Sequence, residues 1–295
     1  MLDENINYTI GYIIPSYNHE KYIIQLLDSI SDDAKTSDLS YEIIIINDGS
    51  TDNSELVIRN WIKKNNANKN ITFTQQENKG ITATLNKLIS LSRSTYLRLC
   101  GSDDLIISGS TKIMYNHLQK DSNLIAVSGD GIIMDENGNK LYDSNVAYYG
   151  ADINKLTNRA TIAKELILHW CLTGPSTLIK KSHYDTVTYD ENELIDDFFL
   201  FLSVIRLHGL KIIKDKVYYY RIHSSNISRP KNKTQRLRNQ KSFLNGILAY
   251  RDMEKDYPAL SATRSKSEAK IAYLESNYGK LFFKLLAYAY WRVKV

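Results

Sequence analysis

Carboxylates stand at two places where a strand-like apolar run ends. Asp48 follows the isoleucine-rich run 41–46, and Asp103 and Asp104 are adjacent in the motif GSDD. Adjacent carboxylates repel each other unless a cation or strong hydrogen-bond donors compensate. Oxygen ligands of this kind suit Mg²⁺ or Mn²⁺ held together with substrate phosphates, which predicts a divalent-cation site at 101–104. The simpler interpretation is that Asp103 and Asp104 cap the following turn.

The motif NDGSTD at 47–52 has a structural explanation for only some of its residues. Ser50, Thr51 and Asp52 form a turn and supply the cap of the next helix. That cap does not need Asp48, so the carboxylate of Asp48 is a candidate for binding a ligand at the strand end.

Two further motifs combine titratable and aromatic residues. The helix start DDFFLFL contains Asp196 and Asp197, and YYYRIHSSN contains His223. One carboxylate is enough to complement a helix dipole, so two beside aromatic rings predict a general base with a raised pKa. His223 is either a hydrogen-bonded loop histidine or, beside an acidic metal loop, a further ligand or diphosphate contact.

Several kinds of site are excluded by the sequence. No GxGxxG follows the first strand, and neither a P-loop, a GxSxG motif nor a calcium loop of the EF-hand type occurs. Cys100 and Cys171 form neither a disulfide framework nor a metal-binding spacing. The net charge of +5 has no arginine-rich clustering, which argues against a nucleic-acid partner and indicates a mild preference for anions.

The elements that must position these motifs are clearest in the first third of the chain. The apolar patterning predicts strands at 8–14, 41–46, 71–74 and 96–99, the first stopped by Pro15, and helices at 23–30, 54–64 and 81–91. This alternation predicts right-handed βαβ units and a mostly parallel sheet. Ligands of such sheets bind beyond the carboxyl ends of the strands, where PSYNHE, NDGSTD, ENKG and GSDD lie.

The pattern is looser after Ser108. It predicts strands at 124–130 and 132–134, a hairpin turn at 135–139, and one or two strands at 211–220. Helices are predicted at 159–169, 196–208, 234–256 and 265–292. With no internal repeat or low-complexity linker, we expect one domain of catalytic size followed by a helical tail.

The order and spacing of these motifs resemble family 2 glycosyltransferases of the GT-A fold, most closely the bacterial enzymes that build capsule and O-antigen polysaccharides. The resemblance covers about residues 8–228. It implies an α/β GT-A fold, a Rossmann-like and mostly parallel central sheet flanked by helices, with a helical C-terminal extension. The implied domains are 1–228, divided into a nucleotide-binding half 1–107 and an acceptor-binding half 108–228, and the extension 229–295.

The resemblance also implies roles for individual residues. Tyr17 and Asp48 match positions that contact the nucleobase. Asp103 matches a carboxylate on the ribose or metal side, and Asp197 matches the catalytic base. The implied nucleotide-sugar-binding set is Pro15, Tyr17, Asp48, Asn78, Gly80 and Asp103, and the implied metal ligands are Asp104 and His223. Many relatives have aspartate where this chain has Gly101 and glutamate where it has Asp196, so either Asp196 or Asp197 can be the base.

The implied reaction transfers a hexose or N-acetylhexosamine from a nucleotide sugar to a saccharide hydroxyl, with Mn²⁺ or Mg²⁺ and inversion of the anomeric carbon. Because Tyr17 and Asp48 match positions that mostly read uracil, a UDP sugar is expected before a dTDP sugar. The expected acceptor is linked to polyprenyl diphosphate in bacterial surface polysaccharide synthesis. There are two alternatives. One is a sugar-1-phosphate nucleotidyltransferase, which would need a basic glycine-rich loop in place of PSYNHEK. The other is a non-enzymatic nucleotide-binding scaffold.

The expected localisation is cytoplasmic. The N-terminus lacks the features of a signal peptide, and no window approaches the ~20 apolar residues that span a bilayer. The apolar segment 280–295, with Lys284, Trp291 and Arg292, is predicted either to pack on the core or to lie in the interface of the inner membrane's cytoplasmic face. The basic stretch 231–241 adds attraction for acidic lipid.

Overall fold

A nine-stranded sheet runs through the described part of the chain. The structure is a computed structural model, and it describes residues 7–65, 70–194, 197–226 and 228–295. In chain order the strands are β1 Tyr8–Ser16, β2 Tyr41–Asp48, β3 Ile71–Gln76, β4 Ser94–Leu99, β5 Leu105–Ile106, β6 Ala126–Met134, β7 Lys140–Tyr142, β8 Thr177–Lys180 and β9 Leu210–Arg221. Their spatial order in the sheet is β3-β2-β1-β4-β8-β6-β9-β5, with β7 paired to β6.

Helices cover both faces of this sheet and form the C-terminal part of the chain. Short 3-10 turns at Gly174–Ser176, Lys181–Asp185 and Arg251–Lys255 connect some of the elements. The α-helices are α1 Ile23–Ser37, α2 Ser54–Lys64, α3 Ile81–Leu91, α4 Ser110–Lys120, α5 Asn145–Tyr148, α6 Ile153–Leu156, α7 Ile162–Leu168, α8 Asp197–Arg206, α9 Lys233–Leu248, α10 Pro258–Leu274 and α11 Tyr278–Lys294.

The isoleucines of β2 show why the sheet is buried on both faces. Ile44 and Ile46 belong to one core cluster, with residues of α3 and α8, and Ile43 and Ile45 belong to the other, with residues of α1 and α2. Successive side chains of a strand point to opposite faces, so consecutive buried isoleucines require a helical layer on each side. The predicted α/β architecture is confirmed.

The strand order brings the predicted motifs to one edge of the sheet. β1 lies between β2 and β4 and is parallel to both, with Ile13 opposite Ile44 and Leu99. β8 is antiparallel to β4 and to β6, and β9 is parallel to β6, so β9 ends at the same edge as β1, β2 and β4. The loop that contains His223 therefore meets the loops of Asp48 and Asp103.

Two predicted boundaries of the sheet were wrong. β1 continues through Pro15, because its pairing with β4 ends at Ile13 and Pro15 lies beside β2 alone, where its missing N–H is tolerated. The strands predicted at 124–130 and 132–134 form one strand, β6, whose register with β9 shifts on either side of Asp130. The one or two strands predicted at 211–220 are one continuous strand, β9, in agreement with the prediction.

The helices predicted at 54–64 and 81–91 have the predicted bounds. The helix predicted at 265–292 was wrong, since α10 and α11 occupy this region as two helices. The chain turns at Ser276, which has a left-handed φ of 58°, and the Asn277 side chain then accepts a hydrogen bond from the Lys280 N–H at 3.0 Å. An N-cap of this kind starts a new helix.

A buried arginine ties β4 to its neighbours just before the GSDD motif. The Arg98 guanidinium donates to the Val217 carbonyl of β9 at 2.6 Å and to the Pro175 carbonyl at 3.2 Å, and it lies 3.5 Å from the Asp33 carboxylate. Arg98 and Asp33 are both fully buried, so their charges need these partners. The network fixes the strand that delivers Asp103 and Asp104 to the sheet edge.

The last three helices differ in how they are buried. Residues of α9 and α10, including Ile247 and Leu260, belong to the same core cluster as α8. In contrast α11 has no buried residue, and the side chains of Phe282 and Phe283 are 60% and 70% exposed. No helix among the described residues has both the length and the apolar character needed to cross a membrane. The division of the chain at residue 228 stays a prediction.

Candidate active site

One cavity of about 810 Å³ lies at the sheet edge where β1, β2 and β4 end. It is lined by residues of the loops after these strands, by Asp197 of α8, and by residues within 224–226 and 228–239. The cavity therefore brings together residues that are far apart in the sequence. Of the predicted site residues, it is lined by Pro15, Tyr17, Asp48, Asn78, Gly80, Asp103, Asp104 and Asp197.

Asp48 anchors the neighbouring loop as well as lining the cavity. Its carboxylate accepts hydrogen bonds from the backbone N–H groups of Lys79 at 2.8 Å and Gly80 at 3.0 Å, and from Gln76 Nε2 at 2.8 Å. Asp48 is 5% exposed, so these bonds compensate its burial. Any contact between Asp48 and a nucleobase depends on this loop, and the nucleobase role stays a prediction.

Gly49 allows the loop of Asn78 to approach so closely. Its φ is +71°, and a Cβ atom at this position would lie 2.6 Å from the backbone nitrogen of Asn78. A side chain would therefore push the loop away from β2 as well as strain the backbone. Tyr17 also lines the cavity, with 42% of its surface exposed, which leaves its ring available for stacking.

Asp103 and Asp104 face different partners although they are adjacent. Asp104 Oδ1 accepts a hydrogen bond from the Arg221 backbone N–H at 2.8 Å. Asp103 Oδ2 accepts from His223 Nε2 at 2.9 Å and from Asn226 Nδ2 at 3.2 Å. Burial, followed by the charge of Asp103, raises the pKa of Asp104 well above its usual value. Burial also opposes ionisation of Asp103, but the hydrogen bond from His223 and the nearby His19 lower its pKa.

His19, Asp103 and His223 form a cluster with the geometry of a metal site. One potential ligand atom from each residue lies within 4.8 Å of the others. Both imidazoles present Nε2 to the same carboxylate oxygen, Asp103 Oδ2, at 4.0 Å from His19 and 2.9 Å from His223. Their other ring nitrogens contact serine hydroxyls, His19 Nδ1 with Ser102 at 2.7 Å and His223 Nδ1 with Ser225 at 2.9 Å.

These contacts fit a divalent cation. Metal-binding histidines usually have the second ring nitrogen fixed by a hydrogen bond, which sets the orientation of the ring. Imidazole nitrogen together with carboxylate oxygen is a donor set that suits Mn²⁺ or another transition metal better than Ca²⁺. His223, a predicted metal ligand, lies close to Asp103 and His19 in this cluster, and Asp104 is not part of it. The implied pair Asp104 and His223 stays a prediction, with Asp103 and His19 as the geometric alternative.

Gly101 has little space for the aspartate found in many relatives. A Cβ atom at Gly101 would lie 2.9 Å from Asp104 Oδ2 and 3.0 Å from Asp103 Oδ1. A third carboxylate would also oppose the ionisation of the two that are present. In this chain Asp103 and Asp104 are the titratable side chains of the loop.

Arg221 holds the GSDD loop from behind. Its side chain donates to the Asp103 carbonyl at 2.7 Å, to the Glu136 carbonyl at 3.2 Å and to Gln25 Oε1 at 2.7 Å. The guanidinium also lies over the ring of Tyr22, 4.8 Å from its centroid. Because the same residue's N–H binds Asp104, Arg221 fixes both aspartates relative to β9.

Asp197 enters the cavity from the first position of α8. It lies close enough to Asp104 for its charge to contribute to the raised pKa of Asp104, after the larger effects of burial and of Asp103. Phe198, the next residue, is buried against the ring of Phe243 in α9, with centroids 4.6 Å apart. Asp196, the alternative candidate for the base, lies outside the described residues.

Several residues of the cavity were missed by the sequence analysis. His19 lies within the motif PSYNHE, where only Pro15 and Tyr17 were assigned roles, and its position after a strand was the available signal. Asn226 lies in the same motif as His223, but its uncharged side chain gave no indication of a functional role. The other residues are Arg229, to which no role was assigned, and Lys231 and Arg238, which belong to the basic stretch 231–241 that was interpreted only as attracting lipid.

Comparison with known proteins identifies the class to which this fold and site belong. The fold is that of GT-A glycosyltransferases. S. aureus TarS in complex with UDP-GlcNAc is similar with a TM-score of 0.63 and 14% identity, covering 97% of this chain and 92% of that one. The mannosyltransferase PcManGT from Pyrobaculum calidifontis, in complex with GDP-Man and Mn²⁺, has a TM-score of 0.65 and 16% identity, covering 97% and 76%.

The sequence itself defines the family. Residues 12–188 match the model of glycosyl transferase family 2, and the chain belongs to this family. It is also 25% identical over 233 residues to the minor teichoic acid biosynthesis protein GgaB of Bacillus subtilis (strain 168). That similarity covers 77% of this chain but only 24% of GgaB, so the chain spans about a quarter of that relative's length. The resemblance derived from the motifs is confirmed, and the chain is a glycosyltransferase.

Proposed function

We propose that this chain transfers a hexose or an N-acetylhexosamine from a UDP sugar to a hydroxyl of a saccharide acceptor, with inversion at the anomeric carbon. One observation supports the proposal above all others. The cavity is lined by Asp48 and Tyr17 on the proposed nucleotide side, by His19 and Asp103, and by Asp197. His223 does not line the cavity itself but contacts Asp103 at 2.9 Å and completes the cluster. A nucleobase, a diphosphate and a reacting hydroxyl each find a chemically suitable group within this site.

The proposed mechanism is a single displacement. Asp197 accepts the proton of the acceptor hydroxyl while the oxygen attacks the anomeric carbon, which is the role of a general base. Attack opposite to the leaving diphosphate inverts the anomeric centre, and one base is sufficient for it. When bound, Mn²⁺ or Mg²⁺ at His19, Asp103 and His223 would neutralise the negative charge of the leaving diphosphate. Asn226 and Arg221 keep Asp103 in position for this task.

The biological setting is also a proposal. The related protein GgaB takes part in minor teichoic acid biosynthesis, as its name states. An abequosyltransferase, RfbV of Salmonella typhimurium, is 25% identical over 215 residues. These relatives favour a role in building a bacterial surface polysaccharide or a teichoic acid. We propose an acceptor linked to polyprenyl diphosphate.

Donor turnover tests this function against its alternatives. The purified protein is incubated with UDP-glucose, UDP-galactose, UDP-GlcNAc, UDP-GalNAc, dTDP-glucose or GDP-mannose, with and without Mn²⁺. The acceptor probe is N-acetylglucosamine linked to a short polyprenyl diphosphate. We expect release of a nucleoside diphosphate from one UDP sugar, and a product whose anomeric configuration by NMR is the opposite of the donor's.

Other products of this experiment contradict the proposal. Release of pyrophosphate in a parallel incubation with UTP and glucose 1-phosphate would indicate a sugar-1-phosphate nucleotidyltransferase. Nucleotide binding without turnover of any donor would indicate a scaffold. A product with retained anomeric configuration would contradict the single-displacement mechanism, although the chain would still be a transferase.

The exposed face of α11 supports a peripheral location on the cytoplasmic face of the membrane. Phe282 and Phe283 are exposed, and Lys284 and Arg292 are on the same helix as Trp291. Apolar side chains combined with basic residues and an interfacial tryptophan are typical of helices that lie in a lipid interface.

Replacement of Phe282 and Phe283 by serine tests this location. Because both rings are exposed, we expect little change in thermal stability, but a partition coefficient onto phosphatidylglycerol vesicles at least about tenfold lower. Cosedimentation with vesicles measures it. Leu56→Ser is a matched control, since Leu56 is 57% exposed on α2. Equal cosedimentation of the double variant and the control would contradict the location.

A further inference from the structure

The segment 189–194 leads towards α8 and so helps to determine where Asp197 lies. Its last residue, Leu194, is three positions before Asp197. All residues of the segment are described, and none of them belongs to a helix or a strand. A turn at Asp190, whose carbonyl accepts a hydrogen bond from the Glu193 N–H at 3.0 Å, gives it local order. The other backbone groups of such a segment need partners from elsewhere in the fold.

Two side chains of α3 supply partners for this backbone. Asn86 makes a pair of hydrogen bonds with Tyr189, because its Nδ2 donates to the Tyr189 carbonyl at 2.9 Å and its Oδ1 accepts from the Tyr189 N–H at 3.2 Å. Thr82, which is 1% exposed, donates its hydroxyl to the Glu193 carbonyl at 2.9 Å. Both ends of the segment are therefore hydrogen-bonded to one helix.

The last helices of the chain contribute a second set of contacts to the same segment. The Leu194 N–H donates to the Ser242 hydroxyl of α9 at 2.9 Å. Asn245 Nδ2, also on α9, donates to Glu193 Oε1 at 2.7 Å. The segment is thus hydrogen-bonded to both α3 and α9, and these bonds fix its position.

α3 is also bonded to the nucleotide side of the cavity. Gly80 is the N-cap of α3, and its N–H donates to the Asp48 carboxylate at 3.0 Å. Gln76 Nε2 donates both to Asp48 at 2.8 Å and to the Thr84 hydroxyl of α3 at 3.0 Å. One helix therefore connects the carboxylate proposed to contact the nucleobase with the segment that precedes the proposed base.

We infer that Thr82 and Asn86 are positioning residues for the transfer reaction. They hold the segment 189–194 on α3, and the segment in turn places Asp197 where it can reach the acceptor hydroxyl. The inference rests on the proposed function, in which Asp197 is the general base. A base must lie within hydrogen-bond reach of the proton it accepts, and a displacement of about 1 Å can lower a rate about 100-fold. Neither Thr82 nor Asn86 is among the described residues that line the cavity.

A purely structural role for these bonds is the alternative, and Thr263 of α10 provides a matched control for it. The Thr263 hydroxyl donates to the Ile167 carbonyl at 2.9 Å, and the residue is 9% exposed. It makes the same kind of bond as Thr82, but it joins α10 to α7 rather than to the segment before α8. Replacing either threonine with valine removes the hydroxyl and keeps the branched shape of the side chain.

Steady-state kinetics with the UDP sugar and acceptor that the unchanged protein uses test the inference. We expect kcat to be lower by roughly tenfold in Thr82→Val and by roughly 10- to 100-fold in Asn86→Ala, while KM for the donor stays within about twofold. Thr82→Ser retains the hydroxyl and should restore most of the activity. Thr263→Val should lower Tm about as much as Thr82→Val but leave kcat unchanged.

A double-mutant cycle shows whether the effect passes through Asp197. In the Asp197→Asn background, Thr82→Val should lower the remaining rate by less than about twofold, because there is no longer a base to misplace. An equal loss in both backgrounds would overturn the inference. A loss of kcat in Thr263→Val equal to that in Thr82→Val would also overturn it, and so would full activity of both α3 variants.

Failure of the proposed function would be recognised separately. If the unchanged protein consumes no donor, the proposed transfer fails, and hydrogen–deuterium exchange of residues 189–194 still tests their placement. Exchange of the Tyr189 amide at least about tenfold faster in Asn86→Ala would keep α3 as the element that places Asp197, and unchanged exchange would overturn the inference. If a donor is consumed and Thr82→Val keeps its full kcat, the transfer stands and the inference fails.

Discussion

Replacing Asp197 with asparagine should lower the rate of sugar transfer by at least about 100-fold, because the amide cannot accept the proton of the acceptor hydroxyl. The substitution preserves size and most hydrogen bonding, so donor affinity and thermal stability should be close to those of the unchanged protein. The loss should therefore appear in kcat rather than in KM for the donor. Steady-state kinetics with the responsive UDP sugar measure both constants.

The adjacent residue is the control for this prediction. Asp196→Asn should cost far less, since its proposed contribution is to the charge at the helix N-terminus. Full activity of Asp197→Asn together with an inactive Asp196→Asn would show that the base is the preceding residue. If both residues only complement the helix dipole, each variant should lose less than ~1 kcal/mol of stability and keep its activity.

The first half of the fold was predictable because its signals are local. Four consecutive isoleucines in β2 require burial on both faces, and the bounds of α2 and α3 follow from apolar residues at helical spacing. Strand boundaries in the second half depend on pairing. Asp130 interrupts the register of β6 with β9, yet the strand continues because β9 pairs with β6 on both sides of Asp130. Pairing with a strand that is distant in the sequence cannot be predicted from a short sequence segment.

The site was predictable as a set of motifs but not as a set of contacts. Motif order brought the carboxylates of Asp48, Asp103 and Asp197 into one predicted site, and they line one cavity. Which atoms face each other depends on the side chains. The Arg221 N–H binds Asp104 and leaves Asp103 to His223, and this division follows from the position of β9 beside the GSDD loop.

The contacts of the basic stretch 231–241 were also not predictable from the sequence. As sequence it is one positively charged segment, and attraction to lipid was the only role assigned to it. In the structure Lys231 and Arg238 line the cavity, whereas Lys241 is paired with Glu275. Lys231 precedes α9, whereas Arg238 and Lys241 are on it, and Lys241 differs because Glu275 lies within its reach. One charged run therefore serves different surfaces.

Removal of divalent metal should abolish transfer, and the cluster of His19, Asp103 and His223 should determine how tightly the metal binds. We expect EDTA to stop turnover and added Mn²⁺ to restore it, since the leaving diphosphate develops negative charge that these residues alone do not neutralise. A second experiment measures Mn²⁺ affinity directly. It follows the electron paramagnetic resonance signal of the free ion in the absence of any sugar donor.

Three variants distinguish the two possible sets of ligands. His19→Gln and Asp103→Asn should each weaken Mn²⁺ binding by at least about tenfold, because each removes a ligand atom from the cluster. Asp104→Asn should weaken it less, since the Asp104 carboxylate is engaged by the Arg221 N–H at 2.8 Å. Circular dichroism of each variant controls for folding. A loss confined to Asp104→Asn would instead support the ligand pair Asp104 and His223 that the family resemblance implies, and turnover that survives EDTA would leave Asp103 as a contact for the ribose.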